Sequence, residues 1–177
     1  MFKKILIVLF ALIAAAVIIV QLQPEDFKLS RSIKIAAPAA EVFPQVNDFH
    51  NWEAWSPWAK LDPAAKNTFE GPAAGVGSIF KWSGNDKVGE GTMTVVESKP
   101  NELVKIKLEF VRPFAATNDT EFTFKEEDKQ TLVTWTMSGK HNFVGKAMCL
   151  VMNMEKMVGP DFEKGLANLK AVVEGKK

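Results

Sequence analysis

One cysteine, two histidines and no tyrosine occur among the 177 residues. The lone thiol, Cys149, excludes an internal disulfide framework and leaves the redox compartment open. His50 and His141 lie far apart, and no His/Cys/Asp cluster has metal-ligand spacing, so neither a metal nor another cofactor is expected. Ser56 and Ser78 have no base nearby, which leaves no nucleophile triad. Gly75-Val76-Gly77 lacks the third glycine of a dinucleotide loop, because Phe80 takes that place, and reads as a turn. Net charge is also scarce, at +1. Taking Lys3 and Lys4 away from the 22 basic side chains leaves 20 against 21 acidic ones, too even a balance for a nucleic-acid-binding domain.

What is present is unevenly spread. Ile5 to Val20 is an unbroken apolar run. A cleaved signal has an apolar stretch of roughly 7–15 residues followed by small residues at a cleavage site. Ala14-Ala15-Ala16 fits that pattern, but Val17-Ile18-Ile19-Val20 would leave a greasy tail on the mature chain. Length therefore favours a retained anchor at residues 1–22, with the membrane crossed by residues 5–22 and the lysines able to snorkel. Lys3 and Lys4 favour a cytoplasmic amino terminus, although Lys28, Arg31 and Lys34 lie close on the other side. The expectation is a single-pass protein of the inner (cytoplasmic) membrane with its domain on the periplasmic or outer side. Asn118-Asp119-Thr120 matches a glycosylation sequon, a triplet common by chance.

Residues 23–26 read as a linker, 27–173 as one domain and 174–177 as a tail. Phe27 to Ile35 alternates with period two, as a strand with one buried side does. Pro38 suits the first turn of a helix carrying Val42, Phe43 and Val46, which Pro44 should split or kink. A short helical piece through Phe49, Trp52 and Trp55 follows, then a Pro/Gly/Ala-rich connection from Leu61 to Gly77 with a short strand near Thr68–Glu70. Strands are expected at Ser78–Trp82, Val88–Glu97, Leu103–Val111, Thr120–Lys125 and Thr131–Gly139. A helical region spans about Val144 to Val173, divided at Gly159-Pro160, with Phe162, Leu166, Leu169 and Val173 as its apolar stripe. The economical architecture is an α+β domain in which a curved antiparallel sheet wraps a long carboxyl-terminal helix, preceded by an apolar transmembrane helix.

Arg31-Ser32-Ile33-Lys34-Ile35-Ala36-Ala37-Pro38, Asn47-Asp48-Phe49 and Trp52-Glu53-Ala54-Trp55-Ser56-Pro57-Trp58 carry a resemblance, as do Gly89-Glu90-Gly91 and Gly159-Pro160-Asp161-Phe162-Glu163-Lys164-Gly165-Leu166. They resemble the polyketide cyclase/dehydrase-like branch of the START-like, or SRPBCC, superfamily, whose fold is the helix grip. The resemblance covers about residues 27–173. It implies an apolar cavity between sheet and final helix, and leaves function open among lipid carriers, cyclases, hydroxylase domains, hormone receptors and chaperone cofactors.

Seven Met, five Trp and thirteen Phe supply adaptable lining for such a cavity. The residues expected to line it are Phe43, Trp52, Trp55, Trp58, Phe80, Trp82, Met93, Leu108, Phe110, Phe122, Trp135, Met148, Met152 and Phe162, with Trp52, Trp55 and Trp58 as an access rim. Each of them could equally fill a solid core. Three polar residues are weak catalytic candidates: Glu53, against a solvated position; Arg112, against an ion pair with Glu109 or Glu121; and His141, against a surface turn. Cys149 reads as an inert buried thiol. The leading expectation is a membrane-tethered module binding a hydrophobic or lipid-like small molecule. The alternatives are a cyclase or dehydratase using acid/base residues of the same cavity, and an envelope protein-interaction domain with a filled core and an exposed aromatic patch.

Overall fold

A computed structural model describes residues 2–150 and 153–175. The apolar run forms α1 (Phe2–Gln21), followed by β1 (Asp26–Ile35), α2 (Ala39–Asn47) and a 3₁₀ helix over Phe49–Ala54. Then come β2 (Lys66–Glu70), β3 (Ile79–Ser83), β4 (Glu90–Lys99), β5 (Leu103–Arg112), β6 (Ala116–Glu127), β7 (Gln130–Lys140), α3 (Phe143–Cys149) and α4 (Met154–Glu174). The strands make one antiparallel sheet in the order β1-β7-β6-β5-β4-β3-β2. β2 to β7 form the expected meander. β1 closes its far side by pairing with β7, from Asp26 opposite Lys140 to Ile35 opposite Thr131.

Alternation decides what each strand buries. Val104 and Ile106 on β5, Phe122 and Phe124 on β6, and Val133, Trp135 and Met137 on β7 all face the core. The opposite face carries ion pairs such as Lys105 with Glu97 and Lys34 with Glu127. The β6–β7 turn places Asp128 and Lys129 at φ 47° and 68°, the left-handed pair of a two-residue hairpin whose twist matches its strands. Register shifts at Glu90/Gly91 and Val95/Glu97 bend β4. α4 lays Phe162, Leu166, Leu169 and Val173 on the concave side, each at most 3% exposed.

Neither expected division splits its helix. Pro44 lies inside α2, whose Val42, Phe43 and Val46 are buried together. Gly159-Pro160 lies inside α4; among the described residues, α3 ends at Cys149 and α4 begins at Met154. Pro160 sits within the first two turns of α4 and removes a single helical N–H. Gly159 has its own reason: a Cβ there would come within 2.5 Å of the Arg31 guanidinium, which reaches across from β1 to Glu163 at 2.7 Å and Glu155 at 3.1 Å. Most of α1 is exposed. Only 6% of its most apolar stretch is buried, so it is not a core helix, and it packs on α3.

Candidate functional site

The space between sheet and α4 is occupied by aromatic side chains. Trp135 stacks on Phe162 with ring centres 4.0 Å apart and on Phe122 at 4.8 Å, while Trp55 and Trp58 stand nearly perpendicular to it at 5.8 Å. Trp52 and Trp55 donate their indole N–H groups to the carbonyls of Val46 and Gln45, both at 2.9 Å. Spacing of three puts these tryptophans on one side of a tight helical turn, and that side faces inward. They are core, correcting the expectation of an access rim at Trp52 and Trp55; Trp58 is partly buried against the same cluster. The Trp135 indole N–H is buried with no hydrogen-bond partner among the described residues.

A larger space opens at one end of the grip. It is a groove of about 680 Å³, built where β5 ends, β6 begins, β7 ends and α3 follows. Its walls include Phe27, Phe110, Val111, Phe114, Ala116, Val144, Met148 and Met157, with Glu109, Thr117, Asn118, Lys140, His141 and Asn142 as polar groups. That volume lies within the range of small-molecule sites, which are mostly apolar with a few placed polar groups. A second hollow, of about 220 Å³, lies beside Phe49, His50, Phe69 and Ser78.

Short-range chemistry sets the polar end of the groove. Asn142 caps α3, its Oδ1 accepting from the Gly145 N–H at 2.8 Å. The adjacent His141 stacks on Phe27 with ring centres 4.7 Å apart, and its Nε2 is 3.3 Å from the Cys149 Sγ. Its backbone N–H donates to the Glu25 carbonyl at 2.7 Å. The Glu25 carboxylate accepts from the buried Lys146 at 3.1 Å, and this hydrogen bond holds the carboxyl below its ordinary range. α3 is thereby fastened to the chain four residues beyond the end of α1.

The expected lining residues divide. Phe110 and Met148 line the groove. Phe43, Trp52, Trp55, Phe122, Trp135 and Phe162 are buried in the core, against which Trp58, Phe80, Met93 and Leu108 pack. Trp82 stacks on Phe80 and donates to the Val88 carbonyl at 2.9 Å. Met152 lies outside the described residues.

Of the catalytic candidates, Glu53 is exposed to solvent on the 3₁₀ helix, not set in an apolar mouth. Arg112 pairs with Glu90 at 3.0 Å, not with Glu109 or Glu121, because β4 and β5 place Arg112 opposite Glu90. His141 lines the groove and is not a surface turn residue, and Cys149 is half-buried beside it, not sealed in the core. Sequence reasoning missed Phe27, Phe114, Asn118 and Val144. Phe27 was legible as an inward strand position. The others come together only when β6 starts beside the end of β7.

A curved antiparallel sheet gripping a long final helix, with an apolar groove at its open end, defines a helix-grip protein of the START-like, or SRPBCC, type. The chain belongs to the family described as polyketide cyclase / dehydrase and lipid transport, whose profile matches residues 26–174. Solved structures share the fold. The Aha1 dimer from Colwellia psychrerythraea is 19% identical with a TM-score of 0.60, over 84% of this chain and 96% of that one. Protein MLL2253 from Mesorhizobium loti is 18% identical with a TM-score of 0.61, over 85% and 99%. CalU16 from Micromonospora echinospora is 16% identical with a TM-score of 0.56, over 85% and 76%. No curated protein matches the chain in sequence.

Proposed function

We propose that the protein is a membrane-anchored binding module that holds a hydrophobic or lipid-like small molecule in the groove between β5, β6, β7 and α3. The observation that carries this reading is the groove itself: about 680 Å³, walled by Phe27, Phe110, Phe114, Val144 and Met148, beside the helix on which α1 packs. Lys140, His141, Asn118 and Asn142 supply the polar groups that orient one end of an amphiphile. Each methylene buried by such a ligand contributes about 0.8 kcal/mol. In this reading the domain lies on the outer face of the inner membrane, which Lys3 and Lys4 at the amino terminus of α1 support. Native mass spectrometry of the full chain, released from a mild detergent, is expected to show a bound mass that Ala115→Trp, which narrows the groove from its exposed loop, removes. A wild-type chain recovered empty from lipid-containing membranes would overturn the reading.

A second reading rests on His141, the one catalytic candidate that lines the groove. It gives the module acid/base activity on a bound polyketide-like carbonyl compound, in the manner of a cyclase or dehydratase. The two readings part at His141→Asn: a carrier keeps its bound mass and shows no turnover with either protein, whereas an enzyme keeps binding and loses turnover.

A further inference from the structure

The groove has an apolar lip that water would not favour. Val111 is 57% exposed, Phe114 55%, Val144 49% and Met157 47%, although all four also line the groove, so they form its edge. Phe143, which opens α3, and Leu150, which caps it, flank them at 45% and 44%. Seven positions apart, these two share a helix face. Large apolar side chains massed at one mouth mark a contact surface.

The chain itself identifies what covers it. α1 has 20 residues, which at about 1.5 Å each span roughly the 30 Å hydrocarbon core of a bilayer. Val20, at its carboxyl end, is its buried residue, and α1 packs on α3. From Gln21 to Glu25 the backbone reaches at most about 14 Å. Glu25 is already held, by its side chain to Lys146 of α3 and by its carbonyl to the backbone of His141. α3 and the lip are therefore confined near the level at which α1 leaves the hydrocarbon, and the interfacial layer there is about 5–8 Å thick.

We propose that the lip formed by Val111, Phe114, Val144 and Met157, with Phe143 and Leu150 beside it, is seated in the interfacial layer of the membrane that α1 crosses, so that the groove opens onto lipid. The inference rests on the reading of α1 as a membrane anchor. It makes the occupant of the groove a membrane-dissolved amphiphile that exchanges laterally with the bilayer, without passing through water. Lys140 offers a cation to an anionic headgroup, in a groove that Glu109 also lines.

The test is nitroxide accessibility of the full chain, in a Cys149→Ser background, reconstituted in vesicles of phosphatidylethanolamine and phosphatidylglycerol. Labels are placed one at a time through Phe114→Cys and Leu150→Cys at the lip, Val96→Cys on the distant strand β4 and Ile13→Cys in α1. The lip labels are expected to collide several-fold more with dissolved oxygen than with a water-soluble nickel chelate, as the α1 label does, with the order reversed at position 96. Lip labels that behave like position 96 while position 13 remains in lipid would overturn the proposal and leave the anchor standing, the lip then facing water or a protein. A water-exposed label at position 13 would overturn the anchor and this proposal together.

Discussion

Trp135 lies in the space between sheet and final helix where the resemblance implies a cavity. Its ring lies between Phe122 and Phe162, and with Trp52, Trp55 and Trp58 it fills the middle of the grip. Deleting a ring there removes many contacts that neighbours cannot replace. Phe162→Ala is expected to cost about 3–5 kcal/mol in a denaturant melt, whereas Ala115→Trp, at an exposed loop position, changes stability by less than about 0.5 kcal/mol while emptying the groove. Gly159→Ala sets a Cβ against the flexible end of the Arg31 side chain, which must shift away from Glu155 and Glu163, and is expected to cost less than about 1 kcal/mol. Arg31→Met in the same chain should reduce that cost, since it removes the group that clashes.

Among the elements, α3 joins the groove to the anchor, and its clasp depends on ionisation. Glu25 is held below its ordinary value of 4.5, chiefly by the Lys146 hydrogen bond, with the Lys140 charge acting in the same direction. A carboxyl lowered on folding contributes stability above its unfolded pKa and loses it as pH falls through its folded one. The melting temperature of the wild-type chain is therefore expected to exceed that of Glu25→Gln at neutral pH. The gap should close as pH falls below about 4.5. A gap unchanged down to pH 3 would show that the contact contributes nothing through charge. The strands were legible in the sequence because alternation is local: Val104, Ile106, Phe122, Val133 and Trp135 all face the way their spacing implies. The division at Gly159-Pro160 was misplaced because burial of Phe162, Leu166, Leu169 and Val173 against the sheet offsets the one N–H that Pro160 removes, and because Gly159 sits against Arg31 of a distant strand.

For the whole molecule, the groove predicts a dependence of affinity on chain length. Within a homologous series of fatty acids the dissociation constant is expected to fall about fourfold per added methylene, reaching a plateau when the groove is full. A flat series measured by competition with a fluorescent fatty acid would show that the apolar walls are not the binding surface. Ala115→Trp should abolish displacement across the whole series.

The sequence by itself determined the apolar helix, the alternating strands, the stripe of α4 and the family pattern, because each is written in residues a few positions apart. The tertiary structure alone decided which aromatic residues are core and which line a space. Trp52 and Trp135 meet because the 3₁₀ helix and β7, more than seventy residues apart, fold onto one side of the sheet. Phe27, Phe114, His141 and Met148 share a groove because β1 pairs with β7 and α3 turns back over the strand ends. Burial depends on what lies opposite a side chain in space, and local spacing carries no record of that.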